Sequence, residues 1–352
     1  MKTLYRLRIN PELRVVSAIL LLLLSGLIYF YQRVFLPDYF FIDEKTITDL
    51  IRYTDLDISL QDSFTSTALV YALIGPEWSQ ILLLLATAAV IVYVCKKSYR
   101  LLDLLFAFLL MLSFALFNLK LSKEVIVIML NLTACAVCAT QLSGCKKISI
   151  VTVLYLLYAC KFRVYYAVIA ALMLALYAVA SSRGKWRLCL VIGMLLLCCA
   201  IPGDFWDQLQ QARDVANANR EGLSDSKTMF TNLLVPSGVL TVVPNALFAA
   251  VRFYFAPLFS LRVQELFLSS TLWFLTLLVI KRRNYGHPLF LLLAANFVIQ
   301  TFFEPDLGSF FRHLSAYAFC VFGIPCIVPD HAEAAQESMT TRPDGQTLDQ
   351  EI

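Results

Sequence analysis

From Leu101 to Gln141 the chain consists of two strongly apolar runs joined by a short polar bend, Asn118-Leu119-Lys120-Leu121-Ser122-Lys123-Glu124. Each run is about the ~20 residues that a membrane-spanning helix requires, so the bend is a helical hairpin turning at one membrane surface. Apolar runs broken by charged bends recur along most of the sequence. With 59% hydrophobic and 15% charged residues among 352, and a mean hydropathy of +0.72, the chain cannot be a water-soluble globule. The expected fold is all-α: a polytopic integral membrane protein of about ten transmembrane helices, with two longer external loops that contain interfacial helices.

Charge orients the spans. Lys2, Arg6, Arg8 and Arg14 precede the first run, Val15 to Gln32, which ends in aromatics without a small-residue cleavage site. It reads as an uncleaved span with a cytoplasmic N-terminus. Basic clusters at Lys96-Lys97, Lys146-Lys147, Arg183 to Arg187 and Lys281 to Arg283 mark the inner turns, while acids concentrate in the intervening bends. Residues 1–328 form one transmembrane domain, with a first external loop over 33–78 and a second over 202–262. The polar tail, 329–352, is expected to be disordered and cytoplasmic. Ile42, Ile47, Leu50, Ile51 and Ile58 recur at helical spacing in the first loop. In the second, Asn232 to Pro257 is apolar but broken by prolines and lacks a basic inner turn, which favours a re-entrant or interfacial segment. The last span is expected over Leu314 to Val328. The cysteines lie in spans or at inner turns, so no disulfide is needed, and Cys135-x-x-Cys138 reads as apolar packing.

Several spans look short. The stretch between Lys147 and Lys161 holds thirteen residues, about 20 Å of helix against a core of about 30 Å. This places Lys161 and Arg163 below the outer surface, beside a water-filled bowl that opens outward. Lys120, Lys123, Lys161, Arg163, Arg252, Arg262, Arg312 and His313 lie on the side where few cations are expected. Such a set suits a polyanionic head group, most simply a lipid-linked pyrophosphate. Ser122 is a good N-cap, so the helix that starts at Lys123 would add free N–H groups to anion binding. Asp43, Glu44, Glu124, Glu304 and Asp306 supply the carboxylates that sugar transfer onto a hydroxyl would need. Anchoring to lipid phosphates, and plain salt bridges, are the structural alternatives for these same side chains.

The order of Phe41-Ile42-Asp43-Glu44-Lys45, Leu121-Ser122-Lys123-Glu124, Lys161-Phe162-Arg163, Asn217-x-x-Arg220, Arg252-Phe253-Tyr254-Phe255-Ala256-Pro257-Leu258 and Glu304-x-x-x-Gly308-x-x-x-Arg312-His313 resembles bacterial Wzy-type and EpsG-like polysaccharide repeat-unit polymerases, over residues 40–320. The resemblance implies a C-type glycosyltransferase-like enzyme of the bacterial inner membrane, with both termini cytoplasmic. Such an enzyme joins undecaprenyl-diphosphate-linked oligosaccharides at the periplasmic face into O-antigen, capsule or exopolysaccharide. It implies that Asp43-Glu44 matches the acidic pair that serves as base or metal-binding pair in C-type enzymes; together with the charge pattern, the candidate catalytic residues are Asp43, Glu44, Glu124, Glu304 and His313, and the candidate substrate-binding residues are Lys123, Lys161, Arg163, Arg220, Arg252 and Arg312. Expected partners are the lipid-linked chains, membrane lipids, a chain-length regulator and a flippase. Neither a cofactor, nor a metal, nor nucleic acid is expected. A flippase or transporter of lipid-linked sugars, and a polysaccharide-modifying membrane acyltransferase built on His313, are the alternatives.

The charge pattern yields a topology that can be read directly. Cysteine labelling in intact cells is expected to reach positions Asp49, Ser224 and Ser309 from outside, and Ser98, Gly184 and Asn284 only after the membrane is opened; a cytoplasmic Asn245 would overturn it.

Overall fold

The computed structural model describes residues 7–53, 63–220, 231–259 and 262–326. Among these, regular structure is helical apart from one antiparallel bridge between Arg8 and Arg100. In chain order, α1 (Pro11–Phe35) is followed by a 3-10 turn (Asp38–Phe41), α2 (Ile42–Tyr53), α3 (Ser63–Ile74) and α4 (Pro76–Lys97). Then come α5 (Leu101–Asn118), α6 (Lys123–Ala139), α7 (Gly144–Lys161), α8 (Tyr165–Ser181), α9 (Lys185–Ala200) and α10 (Gly203–Arg220). The chain continues through α11 (Val239–Tyr254), α12 (Ala256–Phe259), α13 (Val263–Arg282), α14 (Pro288–Phe303), α15 (Leu307–Ser315) and a second 3-10 turn (Ala318–Gly323). Three of these helices, α1, α4 and α5, are long and apolar enough to cross a membrane, so the chain is an all-α membrane protein. α3, α8, α11 and α14 are apolar but shorter.

Local sequence sets the helix boundaries. Pro11, Pro76 and Pro288 open α1, α4 and α14, where a missing N–H costs nothing. Gly75 links α3 to α4 at φ +89°, a conformation that a side chain would strain. α7 starts at Gly144, ahead of Lys146 and Lys147, and so runs 18 residues, about 27 Å. The helix ends at Lys161, whose side chain is exposed, whereas Arg163 is turned into the bundle.

The helices define two ends. At one, Gln32 Nε2 donates to the Leu119 carbonyl (2.7 Å) and Tyr29 Oη to Gln80 Oε1 (2.7 Å). At the other, Arg14 donates to the Lys96 carbonyl (3.3 Å), and Arg282 pairs with Asp103 (3.1 Å) while donating to the Ile324 carbonyl (2.6 Å).

Residues 307–324 run between these ends, but not as the single helix expected over 314–328. α15 stops at Ser315, and the 3-10 turn completes the crossing in the centre of the bundle, where Phe310, Phe311, Tyr317, Phe319 and Phe322 are fully enclosed. A broken helix leaves backbone groups unpaired, which hydrocarbon does not tolerate unless protein surrounds them. One polar side chain of a neighbouring helix meets that need at the break, and others tie the segment's side chains to the bundle. Asn131 donates to the Ala316 carbonyl (3.1 Å) and accepts from Tyr155 (2.8 Å); Asn118 donates to Ser315 Oγ (2.7 Å); Tyr317 donates to Gln300 Oε1 (2.9 Å). Gly323 fits because a Cβ there would overlap Tyr93 and Leu289. Cys135 and Cys320 pack sulfur to sulfur at 3.6 Å in the same core.

The two long loops also take shape. α2 does more than lie on a surface: Ile47 is buried against Ala68 and Tyr71 of α3 and Leu121, while Ile58 falls outside the described residues, as do 329–352. α11 does not run the length of α13. Its last turn meets α13 near the middle, through Phe253 with Ser269 (3.2 Å) and Tyr254 with Trp273 and Thr276 (3.1 and 2.7 Å).

Removing one member of a buried ion pair leaves the other uncompensated, at a cost of about 3–5 kcal/mol. Arg282→Met should therefore lower thermal stability in detergent steeply, and adding Asp103→Leu should restore much of it.

Candidate functional site

Four segments far apart in sequence meet at the Gln32–Leu119 end of the bundle. They are the first turn of α2 (Asp43, Glu44), the α5–α6 bend (Lys120 to Glu124), the α7–α8 turn (Arg163) and the α14–α15 corner (Glu304 to His313).

Each segment is positioned by local chemistry. Pro305 ends α14 at Phe303 and holds Glu304 extended (φ −66°, ψ 125°), because the residue before proline avoids helical angles. Asp306 then caps α15 by accepting from the Ser309 N–H (2.8 Å). His313 lies two turns on, where its ring returns to Glu304. In the α5–α6 bend, Ser122 occupies the N-cap position of α6, but its hydroxyl does not cap; its carbonyl accepts from Tyr71 Oη (2.8 Å).

Glu124 is the centre of the cluster. Its side chain has no exposure, and its Oε1 lies 3.2 Å from His313 Nε2, 3.3 Å from Arg163 and 3.6 Å from Arg312 Nε. Asp43 holds the other side of Arg312 at 2.8 Å, with Lys123 4.0 Å away. His313 Nδ1 bonds Glu304 Oε1, while Nε2 lies 3.0 Å from an Arg163 nitrogen. A carboxylate on Nδ1 fixes the proton there in the neutral ring and leaves the Nε2 lone pair facing Arg163; once Nε2 is protonated, it donates to Glu124. The cluster therefore has a bonded arrangement ready for either charge state of the imidazole.

Electrostatics keep the carboxylates charged. Burial works against ionisation of Glu304, but the His313 charge and hydrogen bonds from His313 and Ser309 prevail and hold its carboxyl below the usual range. Lys120 shows the opposite balance. Burial and then the Arg312 charge lower its ammonium to about 8, against the pull of Glu44, Asp43 and Glu124. Glu124 Oε2, Glu304 Oε2, Ser122 Oγ and Arg312 Nε are all buried without a hydrogen-bond partner. Buried polar atoms are normally paired, so these atoms mark places where a ligand's donors and acceptors would fit. Among the described residues, no group of three His, Cys, Asp or Glu side chains is arranged to hold a metal ion.

Of the residues singled out in the sequence, Asp43, Glu124, Glu304, His313, Lys123, Arg163 and Arg312 come together. Glu44 faces away from them and pairs with Arg33 (3.0 Å). Lys161 is exposed. Arg252 lies over the Phe259 ring (4.2 Å) in the last turn of α11, with Glu265 as its charged neighbour. The Arg220 side chain lies outside the described residues.

Arg213 was not apparent from the sequence. Fully buried in α10, it donates to the carbonyls of Glu304 (2.8 Å) and Thr301 (2.6 Å) and to Asn232 Oδ1 (2.9 Å). It thereby satisfies carbonyls at the end of α14 and fixes the backbone that carries Glu304. Burial lowers its guanidinium to about 10, opposed by Glu304 and Asp214. Trp206, Gln210 and Arg213 share one buried face of α10 at helical spacing, the one signal that could have identified it.

Comparisons with protein-family models, curated proteins and solved structures find no match to this chain.

Because an unpaired buried carbonyl costs about 1–3 kcal/mol, Arg213→Ala is expected to destabilise the fold by a few kcal/mol. Arg213→Lys should restore only part of this, since an ammonium cannot reproduce the guanidinium fork; thermal unfolding of both variants checks it.

Proposed function

We propose that this protein is a membrane glycosyltransferase that joins lipid-diphosphate-linked oligosaccharide repeats at the outer face of a bacterial inner membrane. The observation that carries this reading is the Glu304–His313 pair set against Arg163, Arg312 and Glu124, a proton acceptor beside clustered cations at the end of a membrane bundle. As Arg163 turns from His313 Nε2 to the diphosphate, the acceptor hydroxyl gives its proton to the freed Nε2 while its oxygen attacks the anomeric carbon. The anomeric C–O bond to phosphate breaks, and the diphosphate leaves with the electron pair. Arg163, Arg312 and Lys123 meet its charge, and Asp43 holds Arg312 in place. Glu304 orients the imidazole and stabilises its protonated form.

The ten-span arrangement, with both termini cytoplasmic, belongs to the same reading. The crossing of residues 307–324 supports a tail on the basic side, and the half-length contact of α11 with α13 supports a re-entrant segment. A flippase would call for cations distributed along mid-span positions, whereas these cations gather at one end. A membrane acyltransferase is the second reading, favoured by a buried histidine with a carboxylate companion.

The test uses purified protein with lipid-linked repeat units in one arm and an acyl thioester donor in the other. His313→Gln and Glu304→Gln should abolish polymer formation. Arg163→Lys and Arg312→Lys should each lose roughly ten- to a hundred-fold in rate, since a charge-assisted hydrogen bond is worth about 1.5–3 kcal/mol. Normal polymerisation by both lysine variants would sink the diphosphate role, and turnover of the thioester alone would assign the acyltransferase.

A further inference from the structure

Next to the cluster, and separate from it, lies a cleft of about 270 Å³. Tyr29, Gln32 and Arg33 of α1, Glu44 of α2, Gln80 of α4 and Lys120 of the α5–α6 bend line it. The C-terminal ends of α1 and α5 and the N-terminal end of α4 meet here, and among the described residues these are the three helices both long and apolar enough to cross a membrane. The cleft therefore lies at the level of one bilayer surface, where lipid phosphates lie. Phe30, 78% exposed on the outward side of α1, borders it and marks the lipid-facing edge.

Two groups in the cleft lack the partners that burial demands. Lys120 is 5% exposed, and among the described residues no carboxylate lies within 4.0 Å of its ammonium. It donates to the Leu116 carbonyl (3.2 Å) and stacks over Phe40 and Phe41 (4.9 Å each), which leaves donors unused. Gln32 is 6% exposed; its amide nitrogen is committed to Leu119, and its Oε1 accepts nothing. A buried cation seeks an anion, and a buried amide oxygen seeks a donor. Arg33 and Glu44 repeat the same pairing at the mouth, one cation and one acceptor.

We infer that this cleft binds a phosphate ester that carries hydroxyl groups, delivered as the head group of a membrane lipid entering sideways past Phe30. The phosphate lies between Lys120 and Arg33, and the hydroxyls donate to Gln32 Oε1 and Glu44. The site is distinct from the cations of the reactive cluster and takes its ligand from the bilayer. It does not depend on the transferase reading, because it is tested by binding without turnover.

The experiment is lipid binding to the purified full-length chain in phosphatidylcholine nanodiscs doped with phosphatidylglycerol, whose head group has both phosphate and hydroxyls, read by native mass spectrometry. Wild type should retain phosphatidylglycerol over phosphatidylcholine. Lys120→Met and Gln32→Leu should each weaken that preference about ten-fold, the loss of one charge-assisted or buried hydrogen bond, and Lys120→Arg should keep it. If Lys120→Met does not accumulate, Gln32→Glu sets a carboxylate against the phosphate and should give the same loss. Equal retention of phosphatidylglycerol by wild type and variants would overturn the site, leaving ordinary annular lipid. Displacement by soluble sn-glycerol 3-phosphate at matching concentration would overturn the lipid source and assign the cleft to a soluble phosphate ester.

Discussion

A carboxylate with no exposure must be neutralised, and much of the polar architecture at one end of this protein follows from neutralising Glu124. Its oxygen is met by Arg163 from the α7–α8 turn and by Arg312 and His313 from α15, and those groups are held in turn by Asp43 and Glu304. Loss of one member would leave a neighbour charged in a poorly solvated place, where the penalty is several kcal/mol. The cluster therefore joins α2, α6, α15 and the α7–α8 turn into one end plate.

The same constraint acts on the backbone in the middle of the bundle. Residues 307–324 cross it as a broken helix, which is tolerable because α4, α5, α6, α13 and α14 surround it and because Asn131 pairs with the Ala316 carbonyl at the break, while Asn118 and Gln300 hold the side chains of Ser315 and Tyr317. This segment positions the chemistry as well as the core. Asp306 and His313 lie near its start, and Arg282 holds its far end through Ile324. Packed aromatic side chains between them leave little room for His313 to shift. Arg213 completes the support from the second loop by binding the carbonyl of the residue that orients the imidazole.

Two polar sites lie side by side at one end of the bundle, a charged cluster and a lateral cleft. The cluster is closed and dense in charge, with Glu124 at its centre. The cleft is sparser and opens past Phe30 towards the lipid, suited to holding a head group. The α5–α6 bend serves both, with Lys120 turned to the cleft and Lys123 and Glu124 to the cluster.

The amino-acid sequence by itself determined the class: apolar runs of membrane length admit only helices, and basic turns mark one side. It also pointed to Asp43, Glu124, Arg163, Glu304, Arg312 and His313, because charges beside apolar runs are costly enough to stand out singly. Only the tertiary structure decided which of them touch. Lys161 looked equivalent to Arg163 until the α7–α8 turn left Lys161 exposed and set Arg163 against Glu124, and Glu44 looked equivalent to Asp43 until helical geometry turned it towards Arg33. Arg213 was hidden in an amphipathic helix, where a buried arginine and a solvated one look alike in sequence. Gln32 was concealed for the same reason, as one polar residue at the end of an apolar run. Hydropathy records what each residue costs in hydrocarbon, but the partner that cancels the cost is up to about 270 positions away, as Asp43 is from Arg312, and only the packing of the helices brings the two together.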